Sequence, residues 1–171
     1  MRRFGIALCA VAIATLTMRG QIAGALVVRG DELLIRNEYD AAAARYVRAL
    51  WFDPQSESAV DRLSFLAVER RTRAALLNGE RTASAFLDKH PASTTILFDR
   101  GLCYLLMKNY RRAFGDFRRA AKLTSDPQQY VFAGWAAKRS GDVSAALRMW
   151  KTALTLRHRY RPATAALEES R

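Results

Sequence analysis

Beyond residue 20, apolar and small positions recur every three to four residues, with charged residues between them. That is the spacing of helices with one buried face. One such stripe is Tyr39, Ala42, Tyr46 and Ala49. The same residue types return at Tyr110, Ala113, Phe117 and Ala120, each displaced by 71 residues, and again at Val143, Ala146, Trp150 and Ala153, a further 33 residues on. Gly30, Gly101 and Gly134 lie upstream of the stripes and obey the same two displacements. A shift of 71 is two units of about 34 residues with three added, so a divergent unit is expected between the first pair. Each unit reads as two antiparallel helices. Gly30 with Ala42, and Gly101 with Ala113, permit close approach where the helices cross. Tyr46, Phe117 and Trp150 lie one turn after the alanine and fill the space beside it.

The connections carry their own signals. Asn37, Asn109 and Gly141 fall in the turns within units, and Pro54, Pro91 and Pro127 close the second helices. In the divergent unit Val60, Leu63 and Ala67 fit a first helix, Ser64 takes the glycine position, and Asn78-Gly79 reads as a late turn. This predicts a long first helix, about 57–77, and a short second one over 80–89. The tail from Arg161, with Ala163, Ala165, Ala166 and Leu167 on one side, reads as a capping helix. Caps are needed because a single unit cannot bury its own apolar face and stacking must drive folding.

These residues resemble the tetratricopeptide repeat (TPR) family, whose pattern runs aromatic-x2-Leu-Gly-x2-Tyr, Ala-x3-Phe, then Pro. The first unit reads Leu26-x2-Arg29-Gly30-x2-Leu33, Ala42-x3-Tyr46 and Asp53-Pro54. The third reads Leu97-x2-Arg100-Gly101-x2-Tyr104, Ala113-x3-Phe117 and Asp126-Pro127. The fourth reads Tyr130-x2-Ala133-Gly134-x2-Ala137, then Ala146-x3-Trp150. The resemblance implies an all-α chain: a right-handed α-solenoid of about four helix-turn-helix repeats, with an N-terminal apolar helix and a C-terminal capping helix. The units are expected at about 23–56, 57–91, 94–127 and 128–160, with the cap at 161–171.

The first twenty residues differ from the rest. Arg2 and Arg3 precede the uncharged run from Phe4 to Met18, and Arg19 follows. A basic start before an apolar run is the pattern of an export signal. As a helix, fifteen residues reach about 22 Å, short of the roughly 30 Å hydrocarbon core. Extension to Ala23 makes a span. Residues 1–22 are therefore expected to be a signal peptide or an N-terminal membrane anchor. The charges at Arg2 and Arg3 place the remainder on the extracytoplasmic side, or release it to the periplasm or medium after cleavage.

In the TPR family the first helices line an inner groove that holds a segment of another protein. The resemblance assigns Phe65, Phe98, Leu102 and Leu105 to that groove, then Val131, Trp135, Lys138 and Arg139. The expected groove is an apolar trough with a basic end at Lys138 and Arg139, suited to an amphipathic helix or to an apolar segment ending in acidic residues. The Lys and Asn clamp with which one branch of the family grips a terminal carboxylate is absent: Val27, Asp31, Phe98, Leu102 and Leu105 stand at those positions. Packing of the same apolar residues against neighbouring helices is the competing expectation.

Composition narrows the chemistry. Cys9 and Cys103 are the only cysteines, and His90 and His158 the only histidines. No zinc spacing, phosphate loop or nucleophile elbow is present. Neither catalysis nor a cofactor is expected. His90 and His158 read as helix C-terminal residues and Cys103 as a packed, unreactive thiol. The net charge is +12, and the positives of the repeat region gather in Arg70-Arg71-x-Arg73, Arg111-Arg112, Arg118-Arg119-x2-Lys122 and Arg157-His158-Arg159-x-Arg161, where a merely solvated outer face is one reading. A protein partner is the primary expectation. The rival is an anionic membrane surface or nucleic acid bound through these arginines, the latter lacking interleaved aromatics for stacking. Partner identity and oligomeric state are not written in the sequence.

Overall fold

The computed structural model describes residues 2–170, with side chains described from Thr15 onward. Among the described residues it is all helix: α1 (Arg2–Ile35), α2 (Tyr39–Phe52), α3 (Glu57–Arg70), α4 (Arg73–Leu87), α5 (Thr94–Leu106), α6 (Tyr110–Thr124), α7 (Pro127–Arg139), α8 (Val143–Leu156) and α9 (Arg161–Glu168). The chain divides into two compact units, 1–63 and 64–171.

In the first unit α1 is unbroken from Arg2 to Ile35. The side chains of Phe4 to Ala14, Cys9 among them, lie outside the described residues. Among the described residues no helix is long and apolar enough to cross a membrane. Gly30 lies under the Tyr46 ring so closely that a Cβ there would overlap it. The Tyr46 hydroxyl donates to Asp31 Oδ1 at 2.7 Å, and Arg62 Nε donates to the same oxygen at 2.8 Å. Burial and the Asp31 carboxylate push the Tyr46 phenol above its ordinary range. Asp31 is thus committed within the unit.

The second unit contains α4 to α9 with the end of α3 and repeats the same crossing twice. A Cβ on Gly101 would stand 2.6 Å from Phe117 Cε1, and one on Gly134 would overlap the Trp150 indole. Ala113, Phe117 and Ala120 are fully buried, as are Ala146, Trp150 and Ala153. Trp150 Nε1 donates to the Val131 carbonyl at 3.2 Å, so the largest core side chain keeps its polar atom satisfied. The α5–α6 turn closes with Asn109 N–H to Tyr104 C=O at 2.8 Å and Lys108 N–H to Leu105 C=O at 3.0 Å. The α7–α8 turn does so with Asp142 to Ala137 at 3.0 Å and Gly141 to Lys138 at 3.1 Å. These are Schellman closures, which need a left-handed residue. Gly141 supplies one at φ 92, and Lys108 occupies the equivalent place at φ 62. Asn109, expected as the permissive turn residue, instead precedes α6 at φ −86.

The divergent unit departs from expectation. α3 ends at Arg70, not near 77, and α4 runs from Arg73 through Asn78-Gly79 to Leu87. Two local causes set this break: Arg71 is left-handed at φ 51, and the Thr72 hydroxyl accepts from Ala75 N–H at 3.2 Å, capping α4. Gly79 is a packing residue within a helix, not a turn residue, because a Cβ there would stand 2.8 Å from Ala67 Cβ. Ala67 therefore occupies the place that Gly30, Gly101 and Gly134 hold elsewhere. Ser64 does not; it is fully buried one turn earlier.

At the carboxyl end α9 buries Ala163 and Ala166 while Ala165 stays exposed. Ala163 and Ala166 join Val131, Ala146 and Trp150 in one apolar cluster. Pro127, expected only to close α6, is the first residue of α7, behind the Asp126 cap that accepts from Gln128 N–H at 2.9 Å.

Candidate functional site

The eight expected groove residues do not share one surface. Val131 belongs to the core, whereas Phe98 is partly buried against the cluster around Tyr104 and Phe117. Phe98 packs between Phe117 and Phe132, with ring centroids 5.3 and 5.1 Å away. Val131 is only 6% exposed and joins the Trp150 cluster. The assignment of Val131 to an open trough is corrected accordingly. Leu102 is half-buried against the cluster around Tyr104 and Phe117, and Phe65 on α3 is 43% exposed. Leu105, Trp135 and Arg139 remain together.

Those three line an open depression of about 490 Å³, completed by Leu106, Phe132 and Glu169. α5 contributes the two leucines; α7 contributes Phe132, Trp135 and Arg139. Trp135 packs edge-on against Trp150, with centroids 5.3 Å apart, and lines the depression. The walls are apolar, with Arg139 and Glu169 as the charged residues.

Lys138 is not the basic end that the sequence suggested. Its Nζ donates to the Glu169 carbonyl at 3.2 Å and to Ser170 Oγ at 3.0 Å, and lies 5.4 Å from the Trp135 ring centroid. It ties α7 to the last turn of α9, where the free carbonyls of a helix attract a cation. Arg139 is exposed, its guanidinium 5.9 Å from the Tyr110 ring centroid.

No family model matches the sequence, and no curated protein matches it in sequence. Solved structures do. MamA superposes on 82% of this chain and 81% of its own with a TM-score of 0.73 at 15% identity. YrrB, described as a TPR protein with an unusual peptide-binding site, covers 85% of this chain and 74% of its own, with a TM-score of 0.71 at 16% identity. The pilF protein of Pseudomonas aeruginosa covers 89% and 68%, with a TM-score of 0.72 at 17% identity. The fold is that of the tetratricopeptide repeat proteins.

Within this TPR fold the structure adds a polar network that the sequence did not reveal. Arg100 on α5 makes a two-point contact with Asp116 on α6, Nε to Oδ2 and Nη2 to Oδ1, both at 2.8 Å. Its third nitrogen donates to Ser84 Oγ on α4 at 3.1 Å. Ser84 in turn donates to Glu80 Oε1 at 3.0 Å, and the Tyr104 hydroxyl donates to the same oxygen at 2.7 Å. Asp116 raises the Arg100 pKa by hydrogen bonding, against burial; burial first, then Glu80, raises that of the Tyr104 phenol. A forked, nearly buried pair of this kind fixes the α4–α5–α6 register. Its sequence signal was the Arg100 to Asp116 spacing, the same sixteen residues that separate Gly101 from Phe117.

Two groups with nucleophilic potential, Cys103 and His90, pack against apolar residues. Cys103 is fully buried beside Ala67 and Leu76. Burial, with Asp99 and Glu80 nearby, pushes its thiol up to about 12, so little thiolate exists near neutrality. His90 follows α4 and stacks on Phe86 with ring centroids 4.5 Å apart.

Proposed function

We propose that this chain is a non-catalytic adaptor which holds an apolar segment of another protein against α5 and α7. The observation that carries the reading is the Trp135 wall. One side of the indole is fixed by Trp150 and the other forms an open apolar surface with Leu105 and Phe132. A rigid, half-buried aromatic beside apolar neighbours is the usual anchor of a polypeptide interface. The peptide-binding site described for YrrB, on the same fold, supports the reading. The partner's apolar side chains lie between Leu105 and Trp135, with Arg139 and Glu169 as its charged neighbours at the rim.

Panning a displayed random-peptide library on the purified chain, with Trp135→Ala as the counter-selection, tests this. The expected outcome is enrichment of apolar peptides that bind the parent at least about tenfold more tightly than the variant, a hot-spot effect of about 1.4 kcal/mol. Enriched peptides indifferent to Trp135, or no enrichment, would contradict it.

The basic start and uncharged run of residues 1–22 support a second element, export or anchoring of the adaptor at a membrane. Fractionation with N-terminal sequencing of the cellular protein checks it: a membrane-bound or shortened chain is expected, and a soluble cytoplasmic chain retaining Met1 would overturn it.

A further inference from the structure

Uncommitted positive charge in the second unit meets at two turns. Arg71 and Arg73 at the α3–α4 turn, and Lys108 and Arg112 at the α5–α6 turn, line one depression of about 500 Å³. Its floor is apolar: Leu76, Leu77, Leu106 and Met107. Glu80 is the acidic residue in the lining, and it already accepts from both Ser84 and Tyr104. Among the described residues none of the four cations is paired with a carboxylate; Arg112 lies over the Tyr104 ring at 5.6 Å. Two of them, Arg71 and Lys108, extend from left-handed backbone at φ 51 and 62, a conformation that glycine or asparagine adopts at lower cost. Leu106 lines both this depression and the Trp135 depression, so the two adjoin.

We propose that this turn depression is a carboxylate-binding subsite, taking the acidic part of the polypeptide whose apolar part lies against Trp135. The inference rests on the adaptor reading for its partner and adds that partner's chemistry and direction. Three observations select this occupant. Four cations facing one committed acid give a local excess of positive charge. Guanidinium groups match a carboxylate at two points. The apolar floor suits a leucine-like side chain next to the acid, which a free phosphate does not carry. Nucleic acid fits poorly: the aromatic residue in the lining, Tyr104, is only 6% exposed, so no face is open for a base. The turns thus add positive charge to that of Arg139, where the sequence suggests a basic end at Lys138 and Arg139.

Fluorescence anisotropy with short fluorescein-labelled peptides of leucine and glutamate tests the proposal. One peptide has an amidated end, a second replaces each glutamate with glutamine but keeps a free terminal carboxylate, and a third is glutamine-containing and amidated. Binding of either carboxylate peptide at least about tenfold tighter than the third is expected, and which one binds better identifies side chain or chain end as the source. Arg73→Gln with Arg112→Gln should erase that discrimination with helicity unchanged. Lys108→Asn, which relaxes its backbone, should lower the discrimination about threefold while raising thermal stability. Equal binding of all three peptides by the parent, no binding of any, unaltered discrimination in the arginine double variant, or equally effective competition by inorganic phosphate or a short oligouridylate would overturn it. Trp135→Ala separates the two readings. It should weaken all three peptides by one common factor. If the adaptor reading alone fails, Trp135→Ala changes nothing while the arginine variants still erase discrimination. If this inference alone fails, the reverse holds.

Discussion

The α3–α4 pair and the α5–α6 pair solve the same crossing with opposite arrangements of volume. In α5–α6 a glycine on the first helix receives an aromatic ring from the second, Gly101 under Phe117. In α3–α4 the alanine is on the first helix and the glycine on the second, Ala67 against Gly79, while Ala83 holds the place corresponding to Phe117. Large volume is moved to Leu76 and Phe86, both buried. The lesson is that the repeat prescribes a close crossing, not a glycine at a fixed position. Glycine appears on whichever helix faces the other's bulk. The turns differ in parallel: α5–α6 closes with two Schellman hydrogen bonds, whereas at α3–α4 Arg71 N–H reaches Ala67 C=O at 3.1 Å and Thr72 caps the next helix.

Five substitutions sharpen this comparison. Trp150→Ala removes the largest buried side chain of the repeat unit that most resembles α5–α6, and should cost about 3–5 kcal/mol in urea unfolding; Ala83→Gly in the α3–α4 arrangement, which has no ring to lose, should cost far less. Gly101→Ala is next. Alanine in a helix ordinarily adds about 1 kcal/mol of stability over glycine, but overlap with Phe117 should reverse the sign to a loss of about 2 kcal/mol. Gly115→Ala, in α6 with nothing within 4 Å of its missing Cβ, is the control that should gain stability. If both glycine variants shift the melting curve the same way, the close crossing is not what holds Gly101. The smallest effect is at the turns. Lys108→Asn should add about 0.5–1 kcal/mol by relieving left-handed strain; the neighbouring Asn109 sits at negative φ and carries no such strain.

Much of this was legible in the sequence because three crossings share one spacing. Gly30, Gly101 and Gly134 with Tyr46, Phe117 and Trp150 disclosed the fold, since a ring sixteen residues after a glycine has one packing explanation in paired helices. The α3–α4 pair was misread for the same reason. Its small residues are exchanged between helices, so Asn78-Gly79 resembled a turn when it was a contact. The candidate site was legible only in part. Leu105, Trp135 and Arg139 were named, but Phe132 and Glu169 were not, because helical periodicity does not say which half-buried side chains face one depression. Val131 carries the same apolar signal and is core. Lys138 was read as free charge, and its partner, the last turn of α9, lies some thirty residues away in sequence. The Arg70-Arg71-x-Arg73 and Arg111-Arg112 clusters were visible, but their convergence depends on where α3 ends, which the misread turn concealed.

The most direct test uses the indole resonances of Trp51, Trp135 and Trp150 in a heteronuclear NMR titration with a library-selected peptide. Trp51 is 82% exposed on α2, Trp150 is fully buried, and Trp135 lines the depression. The account predicts that Trp135 shifts most and saturates with the peptide, that its packing neighbour Trp150 follows weakly, and that Trp51 stays in place. A saturating shift of Trp51 with Trp135 unmoved would contradict it.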